Sequence, residues 1–232
     1  MTEITEAPAL SPARRAEAAK WAALALMTVN HVLLALPAPW PAIGHLAGRP
    51  CVPLFCWILA VRLAEDPGAR SGRAFRRLLI WALVAAPVYY ALVGRLVIRG
   101  DILFALAAGV GLVWLLQRRW FVAAAVAAVG LVLADRWIEG GALAAFALPA
   151  GVFAARRSAL AAAGVTVLFG VAQNLWVSPD LPLAAVAVLG APVIAFLALH
   201  LPFSALRLPG WAFYAYYPAH LLVILLVFGP YS

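Results

Sequence analysis

The chain has 232 residues, of which 66% are hydrophobic and only 11% charged, with a mean hydropathy of +1.00. A soluble domain carries about a quarter charged residues, so this composition excludes a water-soluble core and makes the bilayer the solvent. Net charge is +8, and 16 of the 17 basic residues are Arg. They stand in short clusters between apolar runs, which reads as an orientation signal and not as a nucleic-acid footprint.

Residues 1–20 are polar and Ala-rich and are expected to form a cytoplasmic N-terminal segment, with uncleaved insertion beginning at Trp21. Apolar spans follow at 21–36, 42–64, 75–94, 101–117, 120–134, 140–155, 159–177, 181–200 and 211–228. The weakest is 120–134, so the expectation is an all-α polytopic membrane protein with nine crossings, or eight and a re-entrant segment. Residues 21–232 then make one transmembrane bundle. With the N-terminus inside, 13 basic residues fall on the inner side: Arg14, Arg15, Lys20, Arg62, Arg70, Arg73, Arg76, Arg77, Arg118, Arg119, Arg156, Arg157 and Arg207. Arg49, Arg95, Arg99 and Arg136 make up the other four, and the asymmetry fits the positive-inside rule.

An ionisable side chain at membrane depth is costly and marks a functional candidate. His31 lies ten residues after Trp21, about 15 Å into its helix. Arg49 follows after the turn Pro37-Ala38-Pro39-Trp40-Pro41, and an antiparallel hairpin puts the two at similar depth. His220 lies nine residues into the last span. One Arg and two His at one level imply a polar cavity within the bundle. Each has a plainer reading: the histidines as helix-to-helix hydrogen bonders, Arg49 as an outer-surface residue. Pro218 bends the last helix just before His220 and frees a backbone carbonyl, and Tyr216 and Tyr217 can bring hydroxyls to the same cavity. Gly44 and Gly48 form a G-x-x-x-G that permits close helix approach. Cys51 and Cys56 have no metal-ligand spacing and read as packing residues; no zinc, phosphate-loop, dinucleotide or nucleophile-elbow motif is present, so no metal is expected.

At these residues the sequence resembles the TraX family of pilin acetylases, which includes the TrbP proteins of conjugative plasmids. Lys20 to His31 resembles the family's opening helix, which ends in an acidic residue and His, although Asn30 stands here in the acidic position. Gly48-Arg49-Pro50-Cys51-Val52-Pro53-Leu54-Phe55 resembles its Gly-Arg and Pro-Leu-Phe signature. Arg76 to Leu83 and Asp101 to Leu106 follow in order, with Asp101 where Asn is common, and Tyr216-Tyr217-Pro218-Ala219-His220-Leu221-Leu222 resembles the closing Tyr-Pro-x-His-Leu. The match covers both ends of the chain; residues 120–200 agree only in general character.

The resemblance implies acetyl transfer from acetyl-CoA to the N-terminal amine of a pilin subunit in the bacterial inner membrane, with other conjugation proteins as further partners. It implies His31 as general base, Arg49 as oxyanion or phosphate donor and His220 as an orienting or proton-sharing group. Asn30, Asp101, Tyr216 and Tyr217 are expected around the substrate cavity. The inner loop bearing Arg62, Arg73, Arg76 and Arg77 can attract the phosphates of CoA and also carries the orientation signal. The competing classes are a small transporter and a non-catalytic pilin assembly factor.

The charge asymmetry predicts that a periplasm-active reporter is active when fused after Ser232 and silent after Gly72. The reverse pattern, read as reporter activity in intact cells, overturns this orientation.

Overall fold

A computed structural model describes residues 12–65, 69–93, 100–177, 187–191, 193 and 210–231. The described chain is helical: α1 Pro12–Leu34, α2 Trp40–Gly48, α3 Cys51–Glu65, α4 Ala69–Val93, α5 Ile102–Gln117, α6 Phe121–Leu133, α7 Gly141–Ala155, α8 Ala159–Val177 and α9 Gly210–Phe228. A short 3₁₀ turn, Asp135–Trp137, joins α6 to α7. Eight of the expected spans coincide with these helices. The ninth, 181–200, falls outside the described residues apart from 187–191 and 193.

Four stretches are long and apolar enough to cross a bilayer: Trp40–Glu65, Arg70–Val93, Ala159–Trp176 and Gly210–Phe228. Ala19–Leu34 and α5, α6 and α7 are apolar but shorter. Large apolar side chains point outward: Val122, Val126 and Leu133 on α6, Leu160 and Leu168 on α8, and Leu226 on α9 are 67–81% exposed. So extensive an apolar exterior is stable only against lipid, and the chain is a membrane protein.

Two local features differ from the sequence expectation. The single span 42–64 is two helices, α2 and α3, with Arg49 and Pro50 between them in turn conformation. Pro50 has no N–H to give Leu46, so the Leu46 carbonyl accepts from Arg49 N at 3.3 Å instead. Secondly, α1 starts at Pro12, within the expected polar segment, and carries His31 into its last turn.

One contiguous buried cluster joins α1, α3, α4, α5, α7 and α9. At its centre α5 is apolar all round, with ten of its 16 residues buried, as a helix enclosed by other helices should be. Asp101 starts it as N-cap, its Oδ1 accepting from Leu103 N at 3.0 Å and Phe104 N at 3.3 Å. Gly109 lets α7 approach: a Cβ there would lie 2.5 Å from the Ala145 carbonyl oxygen. Cys51 and Cys56 are both buried, each thiol facing a backbone carbonyl of a neighbouring helix.

Because the atom facing Gly109 is backbone, it cannot swing away. Gly109→Val is expected to cost about 1–3 kcal/mol through overpacking, read as a Tm lowered by several degrees in detergent. Gly130→Ala, with nothing within 4 Å of its added Cβ, is expected to leave Tm unchanged or slightly raised.

Candidate active site

The first and last helices run parallel and in contact. Lys20 Nζ lies 5.4 Å from the Phe213 ring centroid, Thr28 Oγ1 is 2.6 Å from Tyr216 Oη, and His31 Nδ1 is 2.8 Å from His220 Nε2. Residue numbers climb together on both helices, so the two chains share one direction. Both imidazoles are buried.

Backbone carbonyls can only accept, and that assigns the protons. His220 Nδ1 lies 3.0 Å from the Tyr216 carbonyl and donates to it. A neutral His220 then presents Nε2 as acceptor, so His31 Nδ1 is the donor across the pair. The His31 Nε2 lone pair is left over. Thr28 donates to Leu24 O at 2.8 Å, which makes Tyr216 the donor in the Thr28 contact. Tyr216 stacks on His220 at 5.1 Å between centroids, and Tyr217 stands edge-on to both imidazoles at 6.3 and 5.5 Å. The Tyr217 phenol is buried without a hydrogen-bond partner among the described residues.

Tyr217 also lines a cavity of about 550 Å³. One end of this cavity is charged, with Lys20, Arg62, Arg70, Arg73 and Arg77 against a single Glu65. Met27, Phe55, Ile58 and Leu106 make apolar walls, and Ile102 and Leu103 lie towards the other end. Gln117, at the last turn of α5, bonds Leu63 O and Ser71, which puts that end of α5 beside the cationic mouth. Ile102 is a helix length away, about 24 Å at 1.5 Å per residue. The cavity is therefore a channel-like slot, basic at one end and apolar along its length, reaching the residues that flank the His pair.

At the far end lies a second polar group. Tyr231 donates to the His31 carbonyl at 3.2 Å and so satisfies one of the orphan carbonyls at the end of α1, while its N–H bonds Leu92 O at 2.7 Å. Burial and the nearby Glu139 carboxylate push the Tyr231 phenol above its ordinary pKa. Glu139 also lies within electrostatic range of Arg49, Asp101 and Tyr217. Two backbone bonds hold its loop in place, Gly100 N to Trp137 O and Glu139 N to Gly100 O, both 2.7 Å. Gly140 and Gly141 follow with φ of +81° and +63°, so the chain turns sharply into α7. Asp135 Oδ1 accepts from Ala142 N at 2.7 Å, and a Cβ on Gly141 would crowd that carboxylate.

Of the residues singled out in the sequence, His31, His220, Tyr216 and Tyr217 come together as one cluster. Arg62, Arg73 and Arg77 line the mouth. Arg76 is exposed on another face of α4 and does not line it. Asn30 faces α2, close enough to Gly48 that a Cβ there would lie 2.5 Å from Asn30 Cγ. Arg49 sits at the α2–α3 junction, its Nε buried without a partner among the described residues. Asp101 is fully buried, with Oδ2 likewise unbonded. Sequence reasoning missed Glu139, which sits in a short polar stretch between spans and carries no signal of its own. It also passed over Thr28, Lys20 and Tyr231.

The family model described as TraX protein matches residues 15–228, nearly the whole chain. No curated protein and no solved structure matches.

The proton assignment is open to ¹⁵N NMR on histidine-labelled protein above pH 7. His31 and His220 are both expected as Nδ1–H tautomers, and Tyr216→Phe, which keeps the Tyr216 carbonyl, is expected to leave them so. An Nε2–H signal from His31 contradicts the assignment.

Proposed function

The chain belongs to the TraX family, a family of conjugal-transfer proteins, and from that premise we propose that it is a membrane-embedded acetyltransferase. Acetyl passes from acetyl-CoA to the N-terminal amine of a conjugative pilin subunit, in the inner membrane, with the N-terminus cytoplasmic. The observation that carries this reading is a buried His31–His220 pair packed against Tyr217, which lines a slot whose mouth is lined by five basic side chains.

CoA is polyanionic at its nucleotide end and uncharged along its arm. A cationic mouth opening into apolar walls matches both parts. Arg62, Arg73 and Arg77 hold the phosphates by charge-assisted bonds, and the arm lies along Met27, Phe55 and Leu106. The amine nitrogen attacks the thioester carbonyl carbon; the C–N bond forms, the C–S bond breaks, and the electron pair leaves on sulfur. The proton released from nitrogen goes to His31 Nε2 and onward to the thiolate. His220, fixed by the Tyr216 carbonyl, holds the His31 ring in the tautomer that can accept it. Arg49 Nε, a donor with no other partner among the described residues, serves the oxyanion. A thioester is already activated, so no acyl-enzyme is required.

Mass-spectrometric detection of label on pilin, after incubation of purified protein with labelled acetyl-CoA, tests the activity itself. Within it, His31→Gln keeps size and hydrogen-bonding capacity but cannot take the proton. It is expected to accumulate normally in the membrane and lose on the order of 10²-fold or more in rate. Wild-type rates from well-inserted His31→Gln protein rule out His31 as the base.

The mouth can be tested by position. Arg73→Gln and Arg77→Gln are expected to raise the KM for acetyl-CoA more than they lower kcat, whereas Arg76→Gln, on another face of the same helix, is expected to change it little. Equal effects from all three, in protein of checked orientation, reduce the cluster to an orientation signal.

A further inference from the structure

The slot has a floor. On α1 it is lined by Lys20, Leu24 and Met27, and on α9 by Phe213, Tyr214 and Tyr217. These are stripes at helical spacing, and both stop there: one turn further, about 5 Å on, stand His31 and His220. Met27 is 5% and Tyr217 3% exposed, so their side chains fill the space ahead of the imidazoles. From α5, Ile102 and Leu103 line the same end. The two floor residues differ in stiffness. Met27 has an unbranched chain that adapts to its neighbours. Tyr217 is a flat ring edge-on to His31 and His220, at 6.3 and 5.5 Å between centroids, and those rings are bonded to each other at 2.8 Å. A group pressing on this end of the slot meets a ring backed by the bonded imidazole pair.

We propose that Tyr217 is a specificity-determining residue, whose ring ends the slot and limits the thioester it accepts to one with a short acyl group. The identity of the ligand rests on the acetyltransferase reading: a CoA thioester with its phosphates at the cationic mouth carries its acyl group at the opposite tip, against Tyr217. An acetyl group ends at a single methyl. Each further methylene needs volume that the Tyr217 ring fills, and forcing extra methylenes into a packed site is destabilising. With the ring removed, each methylene is instead buried against Met27, Ile102 and Leu103, for about a fourfold gain in affinity. The phenol oxygen is buried and makes no hydrogen bond among the described residues, so the wall is steric and a phenyl ring serves as well.

The test uses the full-length protein in detergent and S-ethyl-, S-butyl- and S-hexyl-CoA, thioethers that cannot transfer an acyl group. Only binding that free CoA displaces is counted. The readout is the ratio of the hexyl to the ethyl Kd, because a purely structural defect weakens all three ligands alike. For the wild type a ratio of about ten or more is expected, and Tyr217→Phe is expected to keep it. Tyr217→Ala is expected to invert the order, so that the hexyl thioether binds the tighter. Leu103→Ala opens the same end from α5 and is expected to lower the ratio about fourfold; it reads the floor if Tyr217→Ala protein does not fold. If the wild type transfers no acetyl to pilin but the ratio falls in these variants, the floor stands and the acetyltransferase reading falls. Whether or not transfer is found, a ratio that Tyr217→Ala, or Leu103→Ala in its place, leaves unchanged overturns the floor. So does a wild type that binds the hexyl thioether as tightly as the ethyl, or binds none of the three.

Discussion

Two imidazoles buried between the first and last helices are largely removed from solvent, and each finds its partner within the protein. That requirement ties His31 to His220 and His220 to the Tyr216 carbonyl. A lost bond there would leave a polar atom stranded at about 1–3 kcal/mol, so the contact selects the depth and rotation at which α1 and α9 meet. The Thr28–Tyr216 bond four residues earlier on α9 and the Tyr231 cap on α1 enforce the same register. Chain ends separated by about 190 residues are thereby drawn into one wall of the slot. Lys20, Met27, Phe213 and Tyr217 line the slot from that wall.

The slot has a cationic mouth and apolar walls. In a low-dielectric interior the fields of Arg73, Arg77 and Lys20 fall off slowly compared with water. A mouth of this charge favours anionic ligands over cationic ones. Helix α5 runs through the centre of the bundle with ten of its 16 residues buried and no charge beyond the capping carboxylate at its start.

Tight helix contacts make room for that slot elsewhere. Gly109 lets α7 close on α5, Gly44 and Gly48 let α2 lie on the end of α1, and Gly170 admits Pro53 between α8 and α3. The Arg49-Pro50 interruption serves a similar end. A continuous helix would satisfy the Leu46 carbonyl in the usual way, whereas the break leaves Arg49 at a turn, within electrostatic range of Glu139.

Helix positions were legible from sequence because insertion depends on local hydrophobicity, a property of each run of about 20 residues. His31, Arg49 and His220 were legible for the same reason: a polar group in an apolar run is costly wherever the rest of the chain goes. What the sequence could not decide was partnership and facing. The cluster Arg62 to Arg77 reads as one basic loop, but Arg70, Arg73 and Arg77 share a helical face and Arg76 does not, and only the packing of α4 says which face meets the slot. Asn30 sits beside His31 in sequence, and its side chain goes to α2 because the Gly48 gap is there. Glu139 was unreadable, since an acidic residue between two spans looks like ordinary loop polarity until a backbone bridge from Gly100 sets it beside Asp101. Composition and periodicity report what each segment costs in a membrane; which segments share that cost by pairing is a property of contacts between residues far apart in the chain, and only the tertiary structure contains them.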